Sequence, residues 1–166
     1  PHGLVVLTDT AYTIDAGQLV ALSLPDAAAT RLVPPDGLVD GIPLGELFNL
    51  ARSADGAGLL LLDKRGDMYR YDVAADLWTI ERPIDKRRAA PNPVPIAMAA
   101  YNGRAYILDT TYSQIWRYPY GDETPEGYLP GGSSPTPRMD GAYDITRGID
   151  LAVYRDAYVL LHAGRT

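Results

Sequence analysis

The sequence predicts an all-β fold, and three observations carry that expectation. Short apolar runs alternate with turn residues, with Gly at 16 and Pro at 14 of 166 positions. Asn102-Gly103 sits between the apolar runs PIAMAAY and RAYILDT, the strongest short-range signal for a hairpin. Helical periodicity is scarce, and in Glu46–Ser53, where a short helix competes, strand is the preferred assignment.

The elements are best taken from the stretch Pro95–Tyr120, PIAMAAYNGRAYILDTTYSQIWRYPY. It reads as three strands joined by two tight turns. The same phrase recurs along the chain. At the start, GLVVL, AYTID and QLVALSL match its three runs in order. FNLARS, GLLLLD and DMYRYDV form a second copy, and GIDLAVYRDAYVLLHAG repeats the first two strands near the end. The second strand closes at Asp15, Asp63, Asp109 and His162, in steps of 48, 46 and 53 residues. A fourth strand is expected in the first three copies, at ATRLVPP, LWTIERP and GYLP.

A unit of this size built from short strands predicts propeller blades, which run at roughly 40–50 residues with four strands each. The expectation is a single partial β-propeller domain over 1–166, a fragment of about three and a half four-stranded blades. The blades fall at about 3–35, 45–83 and 95–130, with an incomplete one at 148–166. The linkers are Asp36–Leu44, Ile84–Val94 and Gly131–Gly148, the last rich in Gly, Pro and Ser. Leu59 to Leu62 are four leucines in a row, so both faces of that strand must be buried, as when a sheet is stacked between two others.

Closed propellers use 4–8 blades. The missing part is therefore expected either elsewhere in a longer polypeptide or on another chain. Bare blade faces are apolar and their edges unpaired, so the chain alone is expected to be poorly soluble or oligomeric. It starts at Pro1 without a signal-like segment and reads as a piece of something longer.

Composition narrows the function classes. A net charge of −6 argues against a sequence-independent grip on nucleic acid, so no nucleic-acid partner is expected. The absence of cysteine excludes disulfides and thiolate metal sites and leaves the compartment unread. No apolar run approaches the roughly 18 residues of a membrane span, so a soluble domain is expected.

The repeat resembles that of NHL-type six-bladed propellers, with related texture in YWTD and lactonase-like propellers. Ile96, Ala97, Asn102, Gly103, Tyr106, Asp109 and Ile115 occupy matching places, and Gly148–Leu161 is similar over the first half of the unit. The resemblance implies the innermost strand first. It also implies that the turn after the second strand and the inter-blade linkers share one face, where such propellers commonly bind partners or substrates.

Candidate site residues follow from that placement. Asp15, Asp63, Asp109 and His162 would emerge on the shared face, as a ring able to hold a cation or polar ligand. The favoured reading is that an Asp here bonds the backbone amides that follow it in the turn, because the Asp is part of the repeat pattern itself. Arg87 and Arg88, in the cluster Asp85–Arg88, and Arg138 lie in the linkers of that face and suit an acidic partner. Arg70 and Arg117 share one place in the third strand, flanked by aromatics, and are expected to lie along neighbouring rings. His2 and Ser133-Ser134 assemble no catalytic constellation, and no phosphate loop, zinc spacing or calcium loop is present.

The expected role is non-catalytic: protein interaction or ligand sensing within a larger, bacterial-type protein. The partner is a protein or the missing half of the propeller, with no cofactor. The alternative is a propeller enzyme of lactonase, hydrolase or lyase type, with calcium or another divalent cation at the channel mouth. Glu46, Asn49, Asn102 and Asp150 are the residue types such a site would use, but their places in the repeat read as different.

Overall fold

The computed structural model describes residues 3–53, 55–81, 95–102, 104–110, 114–119, 134–135, 147–155 and 157–162. They divide into two compact units, Pro1–Glu81 and Arg82–Thr166. Strands dominate both. Among the described residues the one helical element is a 3-10 turn at Pro35–Gly37.

The first unit holds two four-stranded antiparallel sheets. The first runs β1 (Leu4–Leu7), β2 (Thr10–Asp15), β3 (Gln18–Ser23), β4 (Ala29–Leu32), each strand beside the next in sequence. Two-residue hairpins fix its register. Asp15 pairs with Gln18 across Ala16-Gly17, both at positive φ, which is the geometry that matches strand twist in a tight hairpin. The second sheet runs β7 (Leu47–Arg52), β8 (Gly58–Asp63), β9 (Met68–Asp72), β10 (Leu77–Glu81), again as a meander. Between the sheets lies a miniature hairpin, β5 (Leu38–Val39) with β6 (Ile42–Pro43). It occupies the linker Asp36–Leu44 and packs beside β10, where Asp40 Oδ2 accepts the Ile80 amide at 2.8 Å.

One core joins the two sheets. Tyr12, Ile14 and Leu19 from the first meet Leu50, Leu59, Leu61, Tyr69, Tyr71 and Trp78 from the second, with Val39 of the linker among them. The first strands come together, β1 and β2 packing on β7, as expected of the innermost strands of adjacent blades. The leucine run behaves as its pattern requires. Leu59, Leu60, Leu61 and Leu62 are all 0% exposed, so β8 is buried on both faces.

The second unit contains β11 (Pro95–Tyr101), β12 (Arg104–Asp109), β13 (Gln114–Pro119) and β14 (Ser134–Pro135), in that order within one sheet. The hairpin at Asn102 forms in the predicted register, Tyr101 opposite Arg104. The fourth strand differs from expectation. Ser134–Pro135, within the segment expected to be a linker, pairs with Trp116 and Arg117. GYLP, expected to fill that role, lies outside the described residues. The pairing needs only two residues, too short for an apolar run to announce it. Last come β15 (Gly148–Tyr154) and β16 (Ala157–His162), a two-stranded sheet. Leu151 and Val153 of β15 share a core with Ala97, Tyr106, Leu108 and Ile115.

A single register feature repeats through three sheets. Leu47 lies opposite Asp63, Pro95 opposite Asp109 and Gly148 opposite His162. Directly after each, the first strand skips a residue, so Phe48, Ile96 and Ile149 occupy the same bulge. These three copies are therefore in register with one another.

Candidate functional site

Asp63 ends β8 and is the centre of the best-defined polar cluster. Its side chain is fully buried. Oδ1 accepts the backbone amides of Arg65 and Asp67, each at 2.9 Å. Oδ2 accepts Nε of Arg65 at 2.9 Å and the Tyr69 hydroxyl at 3.1 Å. Both oxygens are thus satisfied twice, which is what burial of a carboxylate demands.

Arg65 extends the cluster to the linker. Its Nη2 donates to the Pro43 carbonyl and to the Tyr69 hydroxyl, each at 2.8 Å, and lies 3.4 Å from Asp67. The Gly45 amide donates to the same hydroxyl at 3.4 Å. Hydrogen bonding to Asp63 makes Arg65 still harder to deprotonate. Burial, and then the Asp63 charge, push the Tyr69 phenol up from its ordinary value, so it stays a neutral donor.

Two further contacts complete this end of the unit. Leu47 donates its amide to the Gly17 carbonyl at 2.9 Å, joining the β2–β3 turn to the start of β7. Lys64 donates its amide to the Glu46 carbonyl at 3.0 Å, and its ammonium pairs with the Glu46 carboxylate. The turns of both sheets and the linker are therefore bonded to one another at one end.

A groove of about 340 Å³ opens there. The Ala16–Gln18 turn forms one wall, Leu32–Pro34 and Gly37 another, and Leu44–Glu46 closes it. Val33 is 58% exposed at its edge. Within the groove wall, Gln18 Oε1 is buried and accepts no hydrogen bond from the described residues.

The sequence-predicted residues fall in several environments. Asp15 is exposed, 3.9 Å from the likewise exposed Arg31, a pair that contributes little stability. Asp63 and Asp109 are both 0% exposed, Asp109 lying opposite Gln114 across β12 and β13. His162 ends β16 opposite Gly148. Arg87, Arg88 and Arg138 lie outside the described residues. Arg70 was expected to lie along rings; its guanidinium pairs with Asp55 in the β7–β8 turn. Ser53 Oγ and the Ala57 amide also hold Asp55.

Among the described residues no group of three or more metal-ligating side chains gathers. The register does correct one expectation about the possible cation ligands. Asn49 lies opposite Leu62 and Asp150 opposite Leu161, each directly past the bulge, so these two share one place in the repeat. Glu46 precedes the first strand and Asn102 sits in a turn. The bulge hides this equivalence in the sequence, because it shifts the count by one. Gly45, Arg65 and Tyr69 were not singled out from sequence. For Arg65 and Tyr69 the signal was their closeness to Asp63 in the chain, whereas Gly45 lies 18 residues before it and only the fold brings it there.

Neither a protein-family model nor a curated protein matches the sequence. Solved structures do match, and they include β-propellers. A chain of the S. cerevisiae complex of Dbp5 with Nup159, Gle1, IP6 and ADP superposes with a TM-score of 0.54 at 8% identity. The match covers 98% of this chain and 39% of that one. An auxiliary nutrient binding protein from Bacteroides thetaiotaomicron gives a TM-score of 0.51 at 14% identity, covering 84% of this chain and 32% of that one. A luciferin-regenerating enzyme gives 0.51 at 17% identity, covering 87% and 46%. The likeness is one of fold. The chain is a partial β-propeller that spans less than half the length of each of these three structures.

Proposed function

We propose that the chain is a non-catalytic β-propeller module that binds a protein partner at the end carrying the β2–β3 turn, the β8–β9 turn and the Asp36–Leu44 linker. The observation behind this reading is the buried Asp63 cluster. It holds the turn and the linker in one arrangement, so the groove they frame is pre-organised, which lowers the ordering cost of binding. Rigid strands carrying variable loops are a general means of recognition.

The finer parts of the proposal rest on the sequence. The repeat is taken as NHL-type on Ile96, Ala97, Asn102, Gly103, Tyr106, Asp109 and Ile115. By their place in the sequence linkers, Arg87, Arg88 and Arg138 are offered as further contacts for an acidic partner, and Asp15 as one beside the groove. The module acts within a larger protein.

Selection of a displayed random-peptide library on the purified chain tests the reading. Peptides should be enriched on the wild type and lost on Val33→Asp, a substitution at an exposed groove position that leaves the far-ultraviolet spectrum unchanged. No enrichment, or enrichment indifferent to Val33→Asp, rejects this binding surface.

A further inference from the structure

Register decides which backbone groups of the first sheet are left open along β4. Asp15 and Gln18 flank a two-residue hairpin and exchange both their hydrogen bonds, and the residues of β3 then alternate. Gln18, Val20 and Leu22 turn their backbone groups to β2, and Leu19 and Ala21 turn theirs to β4. Two bonds at the far end agree: Leu24 donates to the Asp9 carbonyl at 2.8 Å and Ser23 to the Ala28 carbonyl at 2.9 Å. Leu32 and Thr30, opposite Leu19 and Ala21, are therefore the bonded residues of β4. Arg31, and Val33 just past the strand, direct their N–H and C=O groups outward. Val33 precedes Pro34, which keeps it extended. Both residues are exposed, and among the described residues β4 has no second neighbouring strand.

That edge leads into the groove, which carries two side-chain acceptors. Gln18 Oε1 is buried and no described residue donates to it. Glu46 is the one charged residue of the lining, and Lys64 engages its Oε1 alone. A Cβ on Gly17 would strike Glu46 Cγ, so the turn that carries Gln18 lies directly against Glu46. Neighbouring amides are already used: Gly37 donates to Pro34, Leu44 to Gly37 and Gly45 to Tyr69. Leu32, Val33 and Leu44 supply the apolar part of the lining. A Cβ on Gly37 would meet nothing within 4 Å, so the groove is open on that side.

We propose that this edge and groove take an extended, basic segment of the protein partner. Its backbone pairs with Arg31 and Val33 as an added strand, and one lysine or arginine side chain enters the groove. The aliphatic stem lies along Leu32, Val33 and Leu44, and the cationic head donates to Gln18 Oε1 and the Glu46 carboxylate. Such a head carries several donors and no acceptor, which suits this pair of groups. An acidic side chain would meet Glu46 and Gln18 Oε1 as repulsive neighbours, and the net charge of −6 favours a cation further. The inference rests on the reading that a protein partner binds at this end, and adds the conformation and charge of the bound segment. It concerns a different part of the partner from the acidic part offered to Arg87, Arg88 and Arg138.

A displayed library of random heptapeptides is selected on the purified chain, and enriched sequences are synthesised for affinity measurement. Those that depend on Val33 should share one lysine or arginine. N-methylation of alternate peptide amides should abolish binding, and N-methylation of the amides between them should leave it, because every second N–H of an added strand bonds the edge. Gln18→Leu should weaken such a peptide about tenfold, and should leave unchanged the same peptide with norleucine in place of its basic residue. Gln18→Glu, which keeps an acceptor, should bind at least as tightly as the wild type. Val33-dependent peptides that are acidic, or that tolerate N-methylation at every amide, would overturn this inference and leave the binding surface standing. Peptides indifferent to Val33, or no enrichment at all, would remove both.

Discussion

Gly45 and Asp63 occupy adjoining space so tightly that a Cβ on Gly45 would fall 1.9 Å from Oδ2 of the buried carboxylate. Glycine is needed there for close approach rather than for backbone freedom. The Gly45 amide also reaches the Tyr69 hydroxyl that donates to the same oxygen. Linker and turn are thus fitted around one side chain.

Gly45→Ala should lower stability by about 1–3 kcal/mol, because backbone or carboxylate must shift in a closed space. Asp63→Ala should cost a similar amount, about 1–3 kcal/mol, by leaving buried donors unmatched. Since both changes act through one contact, the double variant should cost less than the sum, with a coupling of about 0.5–3 kcal/mol in urea unfolding. Strict additivity would mean that the two residues do not share the space.

Glu81 yields a prediction in pH. Burial pushes its carboxyl above the ordinary value of 4.5, opposed by the charge of Arg70 and reinforced by that of Asp55. The folded chain therefore holds this proton more tightly than the unfolded chain. Its contribution is greatest below pH 4.5 and is lost as pH rises through the folded pKa. Glu81→Gln should be at least as stable as the wild type at pH 7, and its advantage should shrink on acidification toward pH 4.5. A variant clearly weaker than the wild type at pH 7 would show that the ionised carboxylate is stabilised by Arg70.

Lys64 and Glu46 form an ion pair whose side chains are 59% and 58% exposed. Solvent screens such a pair. Lys64→Ala should change the midpoint of thermal unfolding little, within about 1 kcal/mol in free energy. A larger loss would make the pair part of the rigid cluster around Asp63.

Much of the fold was legible because the same local chemistry recurs. Asn102-Gly103 set one hairpin, the leucine run announced a strand covered on both sides, and Asp63 and Asp109 marked the same position in successive sheets. What escaped was either short or non-local. Ser134–Pro135 is two residues of pairing inside a Gly- and Pro-rich stretch. The β5–β6 hairpin is equally brief, and the burial of Val39 comes from non-local packing into the core that joins the two sheets. The site was harder to read. Bonding of the following amides by an Asp was one of two roles open for Asp63, but its link to Arg65, Tyr69 and Gly45 depends on how the turn folds back on the linker. A one-residue bulge likewise concealed that Asn49 and Asp150 share a place.

The central claim is that these sheets are stacked units, and β8, buried on both faces, tests it most directly. Leu60 and Leu61 point to opposite faces and are both 0% exposed. Urea unfolding of Leu60→Ala and Leu61→Ala should show each costing about 2–5 kcal/mol, as for fully buried leucines. If either costs less than about 1 kcal/mol, one face of that sheet is wet and the stacked-blade account is wrong.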